Sequence, residues 1–226
     1  MMLKSSLALA ATALAVIAPV AATAQEAETA APARKVYDPI NYNLNEDLEN
    51  ILFLDLSNGE RVAVRLMPSW APNHVERIKT LAREGFYDGV IFHRVIDGFM
   101  AQTGDPTGTG QGGSELPDLE EEFNPMPHVR GTVSMARAAS EDSANSQFFL
   151  VFYPRFSLDK KYTNFGRVIS NMEAVDAINR GEPPANPTLV LQASLASENK
   201  AKPAAAPAIM SDAPVTADDL NAPIEN

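Results

Sequence analysis

Cysteine is absent from the 226 residues, so the chain has no disulfide framework, no thiolate metal site, no cysteine nucleophile and no lipid-modified cysteine. Histidine is scarce: His74, His93 and His128 stand alone, with no pair at metal-ligand spacing, and no metal is expected. Basic residues are outnumbered, 18 Lys and Arg against 29 Asp and Glu, for a formal charge of −11. Nucleic acid is therefore not an expected partner, because phosphates require clustered cations. No serine sits in a nucleophile-elbow context, so hydrolytic chemistry is not what the sequence points to.

Long apolar runs are also missing, apart from residues 7–20. That run follows Lys4 and precedes the small-x-small sequence Ala22-Thr23-Ala24, so residues 1–24 read as a signal peptide cleaved after Ala24. The expected destination is the periplasm. An uncleaved anchor is the alternative, since residues 5–25 carry no charge and are long enough to span a bilayer. Residues 25–47 read as a polar flank without sustained period, and residues 199–226 as a disordered tail rich in Ala and Pro. Neither segment is expected to bury enough apolar surface to offset its ordering entropy. One domain remains, residues 48–198, long enough for a single core.

Periodicity sketches that domain. Ile51–Leu56 and Arg61–Leu66 read as a hairpin, with Asn58-Gly59 suited to a type I′ turn. Pro72 fits a first helical position, Val75, Ile78, Leu81 and Ala82 share one face, and Gly85 supplies the stop. Strand-like runs follow at residues 90–96, 100–104, 132–136, 147–152, 165–170 and 189–195. A second short helix fits Met172, Val175 and Ile178. Many short strands with two helices predict a mainly β fold, an antiparallel barrel rather than a doubly wound sheet.

Two features look chemical and are discounted. Gly108-Thr109-Gly110-Gln111-Gly112-Gly113 contains a literal G-x-G-x-x-G, but Ser114-Glu115-Leu116-Pro117 follows where a dinucleotide loop needs a helix. Asp118, Glu120, Glu121 and Glu122 lack the spacing of a calcium loop and read as a solvated acidic face. What stands out is the stretch from Phe92 to Asp105. Period 2 places Phe92 with Arg94, and Met100 with Gln102. Arg94 is then either exposed beside a core Phe or held in a polar site, and spacing alone favours exposure.

The segments 92–105 and 108–113, with Gly131-Thr132-Val133-Ser134-Met135-Ala136-Arg137, Ser146-Gln147-Phe148-Phe149 and residues 158–166, occur in family order. In these the chain resembles the cyclophilin family of peptidyl-prolyl cis-trans isomerases, from about Ile51 to Leu195. The resemblance implies a closed eight-stranded antiparallel barrel capped by two helices. It implies that Arg94 contacts the prolyl amide, that Phe99, Met100, Phe149 and Leu158 line a proline pocket, and that Gln102 and Gln147 hold the peptide backbone. Ala136 matches a rim position. Arg94, Gln102 and Phe99 are then the catalytic candidates. Met100, Ala136, Arg137, Gln147, Phe149, Leu158 and Tyr162 are the substrate-binding ones.

The expected partners are proline-containing segments of unfolded or folding exported proteins, the reaction needs no cofactor, and the chain is expected to act as a monomer. Some positions depart from the family pattern. Arg137 stands where many members have Asn, Tyr162 where many have His, and Lys160 where Gly is usual. Phe156-Ser157-Leu158 replaces the common Trp-Leu, so weak cyclosporin binding is expected. A proline-peptide-binding chaperone or assembly module of the same fold with little turnover is the alternative, and a ligand-carrying barrel is a more remote one.

Overall fold

Alternation in the first strands sets the start of the domain. β1 (Ile51–Leu56) and β2 (Arg61–Leu66) pair antiparallel, with Leu52, Leu54, Val62 and Val64 turned into the core. Their connection is not the expected type I′ turn. Ser57-Asn58-Gly59 form a three-residue loop in which Gly59 alone has positive φ, 84°. Gly59 N donates to Leu56 O at 3.0 Å and Leu56 N to Glu60 O at 2.8 Å. Asn58 instead accepts Glu60 N through Oδ1, so the left-handed step falls on glycine, which tolerates it.

A computed structural model describes residues 35–204. Residues 1–24, expected to be a signal peptide, the flank up to residue 34 and the tail beyond residue 204 lie outside the described residues. Helix α1 (Pro72–Arg83) buries Val75, Ile78, Leu81 and Ala82 as the spacing predicts. Its N-cap, Ala71, has no side chain to offer. Glu122 takes over from across the chain, accepting Asn73 N at 3.1 Å, His74 N at 3.0 Å and His74 Nδ1 at 2.7 Å. A carboxylate is favoured there by the unpaired N–H groups of the first turn. Glu122 thus leaves the solvated acidic face assigned to it. Burial pushes its carboxyl pKa up, but the bonds from His74 and the helix N–H groups bring it below the usual range.

The other strands are β3 (Arg94–Ile96), β4 (Met100–Thr103), β5 (Thr132–Met135), β6 (Phe148–Val151), β7 (Asn164–Ser170) and β8 (Val190–Leu195); α2 (Met172–Asp176) follows β7. They form one antiparallel sheet in the order β3-β4-β6-β5-β7-β2-β1-β8. The sheet curls but does not close, which corrects the closed barrel expected from the resemblance. β3 has only three residues, and residues 89–92 meet residues 188–190 through three backbone hydrogen bonds and one isolated bridge, Ile91 to Leu189, without forming a regular ladder.

The concave side holds the main core, where Phe148 packs edge-on against Tyr87 and Phe165 beneath α1. Residues 36–50 run along the domain and are held by Arg65, which is 1% exposed. Its guanidinium donates to the carbonyls of Asn41, Asn43, Glu46 and Asp47 at 2.7–3.1 Å. Trp70 Nε1 adds a bond to Asp38 O at 3.0 Å.

Candidate active site

Strand alternation gives the sheet a second apolar surface on its outer side. Along β4 and β6, Ala101, Phe148 and Leu150 enter the main core, while Met100, Phe149 and Val151 form a separate cluster with Phe99, Ala136, Leu158 and Tyr162. Register sets the polar groups beside it. Arg94 lies opposite Gln102, Gln102 opposite Phe149, and Phe149 opposite Ser134, so four strands contribute one row. The next row runs Ile96, Met100, Val151.

Phe92 does not share the face of Arg94. Phe92 is fully buried in the main core, and β3 begins only at Arg94, with Val95 turned inward and Ile96 outward. Arg94 is therefore held at a polar site and is still 43% exposed.

The outer cluster lines a cavity of about 270 Å³ that brings together nine of the ten residues singled out from the sequence, all but Gln147. Gln147 stands immediately behind, where its Oε1 accepts Gln102 Nε2 at 2.8 Å. It lines an adjoining groove of about 450 Å³ that shares Gln102, Ala136 and Arg137 with the first. The walls are aromatic and cationic. Tyr162 meets Phe149 edge-on with centroids 5.9 Å apart, Arg155 lies 5.0 Å over the Phe99 ring, and Arg137 lies 4.8 Å over Tyr162. Arg137 is fixed by the carbonyls of Lys161, Ala138 and Ala139, so it acts as a rigid rim. Leu158 reaches the cavity from a one-turn 3-10 helix, Phe156–Leu158, whereas Phe156 itself is 63% exposed.

Two supports lie behind the walls. His128 stacks on Phe149 with centroids 6.4 Å apart. Its Nδ1 is 2.9 Å from Asp159 Oδ1 and its Nε2 3.0 Å from Ser134 Oγ. This chain looks like a hydrolytic triad, but Ser134 has no exposure and also bonds to Thr163 O at 2.9 Å. Burial lowers the His128 pKa, and the bond and charge of Asp159 oppose that shift.

The second support is the glycine loop, residues 108–113, folded around the buried Asp105. One carboxylate oxygen accepts Thr107 N and Thr107 Oγ1, each at 2.7 Å; the other accepts Gly110 N at 2.6 Å and Gly112 N at 3.1 Å. A Cβ on Gly112 would come within 2.1 Å of Asp105 Oδ1, so only glycine fits. Gln147 Nε2 donates to Gly110 O and Gly112 O. The loop is thus a brace for the two glutamines. Burial raises the Asp105 pKa, but the bonds from Thr107, Gly112 and Gly110 outweigh it and bring the value down to about 2.

Sequence reasoning gave no role to Asp105 or to Glu182, whose Oε2 accepts Arg94 Nε at 2.7 Å. An acid followed by Thr at two and four residues carries the signature of a side-chain-capped turn. Glu182, 88 residues from Arg94, has no such signal.

Comparison with known proteins supplies the context for this geometry. The family model described as cyclophilin type peptidyl-prolyl cis-trans isomerase/CLD matches residues 53–195. A probable peptidyl-prolyl cis-trans isomerase of Brucella suis is 46% identical over 170 residues, covering 68% of this chain and 86% of that protein. Peptidyl-prolyl cis-trans isomerase B of Bacillus subtilis is 43% identical over 128 residues, covering 56% and 89%. Among solved structures, a cyclophilin from Hirschia baltica superposes with a TM-score of 0.63 at 29% identity, covering 67% of this chain and 76% of that one. A cyclophilin type peptidyl-prolyl cis-trans isomerase of Cryptosporidium parvum, crystallised in the presence of the dipeptide Ala-Pro, gives 0.60 at 26% identity, covering 64% and 98%.

Proposed function

This chain belongs to the family of cyclophilin-type peptidyl-prolyl cis-trans isomerases, and we propose that its catalysis is centred on the 270 Å³ cavity beside Arg94. It is a prolyl isomerase. The observation that carries the proposal is the row Arg94, Gln102, Phe149 across three neighbouring strands, which sets a cation and an amide on the edge of an apolar cavity.

The physical requirement is modest in chemistry and demanding in shape. Rotation about a peptide bond must overcome amide resonance, a barrier of about 18–20 kcal/mol. X-Pro bonds cross it unaided only in tens to hundreds of seconds. No covalent bond forms or breaks, so the protein has to hold the twisted amide more tightly than either planar form. In the twisted state the prolyl nitrogen becomes pyramidal and regains a lone pair. The Arg94 guanidinium can donate to that lone pair, and the planar amide offers it no equivalent acceptor. Met100, Phe149 and Leu158 anchor the ring, with Phe99 at the cavity wall. Gln102, tied to Gln147, keeps its carbonyl oxygen available to the peptide backbone N–H. Arg137, Ala136 and Tyr162 shape the rim.

The substrates in this reading are X-Pro segments of exported proteins during folding in the periplasm, which the leader-like residues 1–24 support. A single chain carries every residue of the site, consistent with action as a monomer. Weak cyclosporin binding is in keeping with Phe156, which turns to solvent where the family tryptophan is expected. The test is NMR exchange spectroscopy on an Ala-Pro peptide with sub-stoichiometric protein. Accelerated cis/trans exchange is expected; binding without acceleration would make the chain a peptide-holding module.

A further inference from the structure

We propose that Glu182 is a positioning residue that orients the Arg94 guanidinium for isomerisation, an inference that rests on the role given to Arg94 above. The main chain sets up the contact. Val95 N donates to Gly181 O at 2.8 Å and Gly181 N to Val95 O at 2.9 Å, an antiparallel bridge at the free edge of β3. Residues 94 and 182 therefore face each other beside that bridge. Glu182 Oε2 accepts Arg94 Nε at 2.7 Å.

A guanidinium is planar and carries donors on Nε and on both Nη atoms. Fixing Nε fixes the plane, and it leaves the Nη donors to serve the cavity that Arg94 lines. Without a partner, a side chain 43% exposed would spread over many rotamers, and only a fraction would present a donor to a prolyl nitrogen. Glu182 is specific in this respect. The neighbouring acid, Asp97, pairs with Arg180 at 3.3 Å instead. Lys at position 94 would keep the charge and lose the two-edged geometry.

The pair is half exposed on both sides, 43% and 50%. Exposed pairs of this kind are worth at most a factor of about two to five. The expected effect is thus a measurable adjustment of turnover, far short of its loss.

The experiment uses the mature chain and an Ala-Pro tetrapeptide, with kcat and KM taken from NMR line shapes for wild type, Glu182→Gln, Asp97→Asn and Arg94→Ala. Each is measured at roughly 10 mM and 1 M salt, since the higher concentration screens an exposed pair. Relaxation of the Arg94 Nε–Hε group reports its order directly. Glu182→Gln is expected to lower kcat about two- to five-fold at low salt with KM and melting temperature unchanged, and to loosen Nε–Hε. Wild type should fall to the same level at high salt while Glu182→Gln stays flat and Asp97→Asn follows wild type. An unchanged or raised kcat in Glu182→Gln, or a fall with Nε–Hε order intact, overturns the inference and leaves the Arg94 reading standing if Arg94→Ala is inactive. Full turnover in Arg94→Ala overturns both.

Discussion

Replacing Asp105 by Asn should loosen the brace behind Gln102 and Gln147 while keeping side-chain size. In the native loop one carboxylate oxygen accepts Thr107 N and Oγ1, and the other accepts Gly110 N and Gly112 N with a longer bond from Thr109 Oγ1. Asparagine keeps one acceptor oxygen, so one set of donors would face an NH2 group. The carboxyl lies at about 2 in the folded chain against an ordinary 3.8. At about 1.4 kcal/mol per pH unit, the ionised form contributes about 2 kcal/mol. Stranding buried donors adds about 1–3 kcal/mol, for a total loss of about 3–5 kcal/mol. Because the folded value lies below the unfolded one, the contribution is complete above pH 3.8 and is lost as pH falls through 2. Urea denaturation of wild type and Asp105→Asn across pH 7 to 2 measures it. The stability difference should be largest at neutral pH and shrink below pH 4. A difference that stays flat over that range would refute the reasoning. The same variant should raise KM for an Ala-Pro peptide, since Gln147 rests on Gly110 and Gly112.

Further outcomes follow from single contacts. Glu122→Ala should destabilise the domain by about 1–2 kcal/mol, because α1 has no other side-chain cap, and thermal denaturation at pH 7 reads it. The loss should diminish as pH falls and the carboxyl, held below its usual range, takes up a proton. Lys160 occupies the left-handed region at φ 56°, so Lys160→Gly should stabilise the domain by about 0.5–1 kcal/mol without changing turnover, measurable as a raised urea midpoint.

The legible parts of this protein are those where local pattern and global packing agree. Val62, Val64 and Leu66 alternate because β2 turns one face into the main core along its length, and Val75, Ile78 and Leu81 repeat because α1 packs into the same core. The family motifs brought nine pocket residues together since they fall on strands and turns whose register places them on one outer surface. What escaped depends on contacts between distant segments. Arg65 looks like the polar member of an alternating strand, yet it is buried beneath carbonyls of residues 41–47, which no period reveals. Glu122 reads as one acid among several until the start of α1 comes within 3.0 Å of it. Phe92 and Arg94 look like same-face neighbours because the pattern does not show that β3 starts late. The open edge of the sheet has the same origin, a strand too short to complete the ladder.

The central claim is that Arg94 stabilises the twisted prolyl amide, and the most direct measurement is the catalysed cis/trans exchange rate of an Ala-Pro peptide with Arg94→Ala beside wild type at matched saturation. Loss of one preorganised donor at a reacting centre is worth roughly 10²–10³ in rate, so the variant should bind the peptide, keep its fold and accelerate exchange at least about a hundred-fold less. Exchange as fast as wild type in a folded Arg94→Ala variant would contradict the account.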